Sequence, residues 1–190
     1  GTDRDFIALG SDSGNMVILK FKSDKNGFEV VQNEVYGKTG CRRAVPGQYL
    51  AKDPKGRAIM IAATEKQKLV YILDRDTNEN LIISSPLEAH KSSTICFGVV
   101  GLDVEYENPL FASLEIVFSA LEDLDIKPEE RVAQKVVTFY ELDLGLNTVT
   151  RKQLIEVDPN ANMLTAVPGG EEGPGGCLVF SFNWVVYISE

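Results

Sequence analysis

The sequence predicts an all-β chain, a partial β-propeller of about three and a half four-stranded antiparallel blades. Three observations carry that prediction. The apolar runs are short and rich in Val, Ile, Phe and Tyr, they are broken every few residues by Gly, Asp, Asn or Pro, and a group of four strands returns along the chain. Helical spacing of apolar residues is almost absent.

The first group opens with Phe6-Ile7-Ala8-Leu9-Gly10, turns through Ser11-Asp12-Ser13-Gly14 and resumes at Met16-Val17-Ile18-Leu19-Lys20-Phe21. This is a hairpin, because the glycine can take the positive φ of a tight reversal. Lys25-Asn26-Gly27 makes the next reversal, into Phe28–Gln32. The second group runs from Gln48–Ala51 through the turn Asp53-Pro54-Lys55-Gly56-Arg57 to Ala58–Ala63. A polar tip, Glu65-Lys66-Gln67-Lys68, reads as a solvated hairpin end before Leu69–Asp74, and Leu81–Ser84 closes the group. The third comprises Cys96–Val104, Leu110–Glu115, Val136–Leu142 and Thr148–Lys152. The fourth begins at Met163–Val167 and continues through Gly176–Ser181 to Val185–Ile188.

Ala8, Ile61, Ala112 and Phe180 mark the second strand of each group, at spacings of 53, 51 and 68 residues. The excess in the last interval lies between Ile116 and Gln134, an acidic inserted loop with a helical turn expected after Pro128. Four-strand units of this period read as propeller blades, each burying its faces against its neighbours. A β-sandwich or closed barrel fits less well, because neither predicts a four-strand unit that returns with a Gly- or Asp-marked turn before its third strand.

The apolar share of 44% and charged share of 25% are ordinary for a globular domain. No run reaches the roughly 18 apolar residues of a membrane helix, and Gly1–Asp5 lacks a signal-peptide layout, so we expect a soluble chain without a membrane role. The missing initiator Met and the early strand lead us to expect an internal part of a larger protein. A net charge of −9 repels a phosphate backbone, so little or no direct nucleic-acid binding is expected. Cys41, Cys96 and Cys177 are odd in number and far apart, which disfavours a disulfide framework or a zinc site and suits reduced thiols in nucleus or cytosol.

Catalytic chemistry is hard to find. His90 is the only histidine and has no Gly-x-Ser-x-Gly beside it, so it reads as a surface or hydrogen-bonding residue. The glycine-rich run Pro168–Gly176 lacks the Lys-Ser/Thr of a phosphate loop and carries two glutamates, so it reads as a flexible turn. Acidic stretches at Asp12–Asn15, Asp74–Asp76 and Glu105–Asn108 lack calcium-loop spacing and read as solvated turns. We therefore expect no enzyme activity, no cofactor and no metal. The segment Tyr36–Gln48 stands apart, with three cations and three glycines in one connection beside an aromatic residue. Its planar arginines suit carboxylates or phosphates. Lys38, Arg42, Arg43 and Gln48 are the candidate partner-binding residues, the alternative being that the arginines pair with acids of this chain.

The runs Gly37–Arg57 and Glu65–Leu73 closely resemble the splicing factor 3b branch of a family of triple-propeller scaffolds. Gly10–Gly14, Ile83–Lys91, Glu107-Asn108-Pro109, Phe139–Asn147 and Val167–Gly170 extend the likeness to nearly the whole chain, while Ile116 to Gln134 and Gln153 to Asn162 depart from it. Other branches are the damaged-DNA-binding adaptor of cullin ubiquitin ligases and the large cleavage and polyadenylation subunit, which share the Asp-Pro-x-x-Arg turn seen at Asp53–Arg57. The resemblance implies that residues 1–190 belong to the first of three propellers. It further implies a nuclear, non-catalytic scaffold that holds the HEAT-repeat subunit and a small helical subunit of splicing factor 3b within the spliceosomal ribonucleoprotein. An adaptor of a cullin ligase or of polyadenylation is the alternative.

Overall fold

The structure, a computed structural model, describes residues 5–11, 15–35, 48–63, 67–102, 106–122, 125, 127 and 132–189. Among these residues four antiparallel sheets follow one another. The first holds β1 (Phe6–Gly10), β2 (Asn15–Lys22) and β3 (Gly27–Val35) in that order. The second holds β4 (Gln48–Lys52), β5 (Ala58–Ala63), β6 (Lys68–Arg75) and β7 (Leu81–Ile83), with the short β8 (Leu87–Glu88) also pairing with β6. The third holds β9 (Thr94–Gly101), β10 (Leu110–Val117), β11 (Gln134–Asp143) and β12 (Thr148–Glu156). The fourth holds β13 (Met163–Ala166), β14 (Cys177–Phe180) and β15 (Val185–Ile188). A short helix, α1 (Ser119–Glu122), follows β10. The helical turn expected after Pro128 lies outside the described residues.

The predicted blades are present, and their central strands show how a blade packs. A strand points successive side chains to opposite faces. In β5, Ala58, Met60 and Ala62 enter the core shared with the third sheet, while Ile59 and Ile61 enter the core shared with the first. In β10, Phe111 faces the second sheet, and Leu110, Ala112 and Leu114 face the fourth. Such strands read as mostly apolar runs because both faces are covered, with Ser113 and Glu115 the exceptions in β10. The first strands of the second, third and fourth sheets, β4, β9 and β13, lie side by side.

The turns follow their residues. Asn26 takes positive φ between β2 and β3, and Gly56 does so in the Asp53–Arg57 turn. The outer strand of the second blade is split at Ser84-Ser85-Pro86, where proline has no N–H to donate. Ser84 bridges the gap by donating its N–H to the Ile72 carbonyl (3.0 Å) and accepting the Ile72 N–H on its hydroxyl (2.9 Å).

One expectation needs correction. Lys68 does not belong to a solvated tip: it is the first residue of β6 and is wholly buried, because its row on β6 faces the third blade. Pro168–Gly176, read as a flexible turn, is a reversal whose ends are joined by backbone hydrogen bonds. Gly175 N–H donates to the Pro168 carbonyl (2.8 Å) and Val167 N–H to the Gly176 carbonyl (2.9 Å), and the loop contains a 3-10 turn at Gly170–Glu172.

Candidate interaction surface

Lys38, Arg42 and Arg43 lie outside the described residues, within 36–47. Gln48 opens β4, with its backbone opposite Ala63. The described residues instead concentrate chemistry at the junction of the second and third blades.

At the heart of that junction Lys68 Nζ from the second blade sits 2.9 Å from Glu115 Oε1 of the third, both side chains fully excluded from solvent. Strand alternation puts them face to face: Lys68 shares its row with Val70, and Glu115 shares its row with Ser113 and Phe111. A bulge between Leu114 and Glu115 sets the carboxylate opposite Cys96. The Thr138 hydroxyl donates to Glu115 Oε2 and the Tyr140 hydroxyl to Oε1, each at 3.1 Å. Burial, and then the neighbouring Glu115, push the Tyr140 phenol well above its ordinary range. Cys96 lies 3.4 Å from the Ser113 hydroxyl, and burial likewise raises its thiol. Burying two charges is tolerable only when each is paired and the remaining lone pairs and protons are met. Thr138 and Tyr140 do this for the carboxylate, whereas the Lys68 ammonium has the close Glu115 charge but no well-aligned hydrogen bond.

A second set of contacts latches the same blades near their turns. Asp53 is 1% exposed and accepts a two-pronged bond from Arg57, Nε to Oδ2 at 2.9 Å and Nη2 to Oδ1 at 3.0 Å. The Arg57 backbone N–H also donates to Oδ2 (3.0 Å), and Nη1 reaches the Glu107 carbonyl of the third blade (2.5 Å). The Asp-Pro-x-x-Arg turn is therefore a structural clasp: the aspartate orients the arginine, and the arginine holds the next blade. Beyond it, Asn108 donates to Glu141 Oε1 (2.8 Å) and accepts the Leu144 N–H (3.2 Å). Lys152 Nζ sits 2.6 Å from Glu141 Oε2. The Lys152 and Asn108 hydrogen bonds hold the Glu141 carboxyl below its usual range.

Toward the outer edge of the junction a cleft opens between the segment Glu88–Lys91 and β12. Register places Arg151 beside Tyr140 and Val149 beside Leu142, so both β12 side chains continue the row that faces the second blade. Lys91 and Arg151 thus meet across the cleft, with burial and then Arg151 lowering the Lys91 ammonium. His90 is anchored behind them, its Nδ1 3.0 Å from the Lys68 N–H and 2.8 Å from the Lys68 carbonyl. The hydrogen-bonding role expected of His90 is what the structure shows.

Of the remaining residues singled out from sequence, Cys41, Asp12, Ser13, Gly14 and Glu105 lie outside the described residues. Asp76 caps its own turn, accepting the N–H groups of Asn78 and Asn80 at 2.8 Å each. Cys96 and Cys177 are buried free thiols, the second pushed up to about 11 by burial. Among the described residues no three His, Cys, Asp or Glu side chains gather as metal ligands. The buried pair was missed, yet two signals pointed to it: Glu115 places a charge in a mostly apolar central strand, and Lys68 immediately precedes the apolar run Leu69–Leu73.

Residues 1–190 match the family model described as the RSE1/DDB1/CPSF1 first beta-propeller. The chain is 55% identical over its whole length to spliceosome-associated protein 130 A of Arabidopsis thaliana. It is 54% identical to splicing factor 3B subunit 3 of Drosophila melanogaster and 50% identical to pre-mRNA-splicing factor prp12 of Schizosaccharomyces pombe, each over 98% of the chain. It spans only 16%, 15% and 16% of the lengths of these relatives, respectively.

Proposed function

This chain belongs to the RSE1/DDB1/CPSF1 first-propeller family, and from that premise we propose that it is part of a non-catalytic protein–protein scaffold of the splicing factor 3b complex, supporting branch-site recognition and pre-mRNA splicing. The observation that carries this reading is the end-to-end likeness, at half identity or better, to relatives named for splicing rather than for ubiquitin ligation or polyadenylation. The clasped, ion-paired blade junction supports it physically, since a rigid framework holds its loops in fixed positions for partners at little ordering cost.

On this reading the chain is an internal part of the first propeller of a three-propeller nuclear protein. Its partners are the HEAT-repeat and small helical subunits of splicing factor 3b, and Lys38, Arg42, Arg43 and Gln48 meet acidic groups on them. Affinity purification of the full-length parent, followed by mass spectrometry, tests the reading. Recovery of splicing factor 3b subunits is expected, and recovery of cullin-ligase or polyadenylation subunits in their place overturns it. Changing Arg42 and Arg43 together to glutamate is expected to lower that recovery at least about fivefold, roughly 1 kcal/mol of interaction.

A further inference from the structure

We propose that the cleft between Lys91 and Arg151, at the outer edge of the second and third blades, is a docking notch for a single carboxylate side chain of a protein partner. The proposal rests on the scaffold reading and adds a second contact, separate from Lys38–Gln48.

The two cations come from different blades and converge on one opening. Each stands where the fold puts it: Arg151 by its register opposite Tyr140, and Lys91 by the connection that enters β9 after Thr94 Oγ1 donates to the Lys91 carbonyl (2.8 Å). Their mutual repulsion is a cost that the chain could have relieved with one of its 28 acids. The acids nearby do not do so. Glu115 is committed to Lys68, Thr138 and Tyr140, and Glu141 to Lys152 and Asn108. Glu88 extends into solvent with 74% of its side chain exposed, its carboxylate 4.0 Å from His90 Nε2.

Charge decides the kind of ligand. With Lys68 and Glu115 cancelling behind the cleft, Lys91 and Arg151 outweigh Glu88 by a single positive charge. That matches one carboxylate, which an arginine fork can grip with two parallel bonds. A polyanion would meet the field of a chain carrying −9. The fixed walls, Tyr140 and Val149, are held by the junction core, so little ordering is needed when the ligand arrives.

The test is carbodiimide coupling of the purified full-length assembly, which joins an amine to a carboxylate it touches, followed by peptide mapping. Lys91 linked to an aspartate or glutamate of another subunit is the expected result. The Lys91→Glu, Arg151→Glu variant is expected to lose at least about fivefold in recovery of that subunit, with Lys91→Gln, Arg151→Gln intermediate and Lys91→Arg close to unchanged. Thermal unfolding of the variants should match the parent, since neither cation supports the core. Lys91 linked only within its own chain, a ribonuclease-sensitive adduct to RNA at this lysine, or undiminished recovery with both charges reversed overturns the notch. Splicing subunits that still co-purify in any of those cases leave the scaffold reading standing, whereas their absence from the wild-type assembly sinks that reading first.

Discussion

Lys68 and Glu115 carry opposite charges into a fully dry space between two blades, and the asymmetry of such pairs sets the consequence of changing them. Removing one partner strands a buried charge and costs about 3–5 kcal/mol, whereas replacing both with apolar residues of similar size is often close to neutral. Glu115→Gln should therefore open the junction far more than Lys68→Met combined with Glu115→Leu. Cys96 supplies the readout, because its buried thiol reacts only when the junction opens. Mapped alkylation at Cys96 is expected to accelerate about a hundredfold or more in Glu115→Gln, the equivalent of about 3 kcal/mol, and much less in the double variant. Equal rates in both would refute the account. Glu141 gives the pH counterpart. Its folded carboxyl is held below its unfolded value, so its bonds to Lys152 and Asn108 contribute stability at neutral pH that is lost as pH falls through the folded value. Glu141→Gln should lower stability near neutrality, where the charged carboxylate contributes, and flatten the acid limb of the unfolding profile, so that variant and parent converge at low pH.

At the scale of strands and turns, blade spacing depends on backbone approach, and glycines mark where it is closest. A Cβ on Gly101, at the end of β9, would run into the Lys52 carbonyl of the second blade, which belongs to backbone and cannot swing aside. A Cβ on Gly98, three residues earlier, would meet only Leu164 Cβ at 3.8 Å, an ordinary contact. Gly101→Ala is expected to lower the unfolding midpoint by several degrees, in the range of a 1–3 kcal/mol overpacking penalty, and Gly98→Ala to leave it almost unchanged. Comparable shifts would show that Lys52 does not set the spacing. The same elements show what was legible in the sequence. The blades were readable because strand runs and turn residues are local signals, and the Asp53–Arg57 turn announced itself by composition. The partner of its arginine, the Glu107 carbonyl, did not, since a backbone acceptor 50 residues away leaves no mark on the sequence. Lys68 was misread for a related reason: beside Gln67 it looks like a hairpin tip, and only the neighbouring blade reveals that its row faces inward.

For the molecule as a whole, the two terminal sheets leave apolar faces uncovered. On the first, Ile7 is 44% exposed and Leu9 48%, beside the edge-to-face pair Phe21–Phe28. On the fourth, Met163, Val185 and Tyr187 face outward, and Phe182 and Trp184 stand in the β14–β15 turn at 76% and 66% exposure. The two inner sheets show what such faces need, because their alternating rows are buried on both sides by neighbouring blades. Uncovered sheet faces and strand edges drive association at micromolar concentrations and above. The 190-residue chain alone should therefore self-associate as its concentration rises through about 1–100 μM, a range where exposed apolar sheets associate. Light scattering and binding of an apolar dye would report it. Leu9→Lys with Phe28→Lys should reduce association through the first sheet, and Val185→Lys with Tyr187→Lys through the fourth. Both pairs together should have the largest effect if head-to-tail stacking of the two faces is the route. A chain that stays monomeric and dye-free across that range would mean that these faces shield themselves, and that the open arc is stable without further blades.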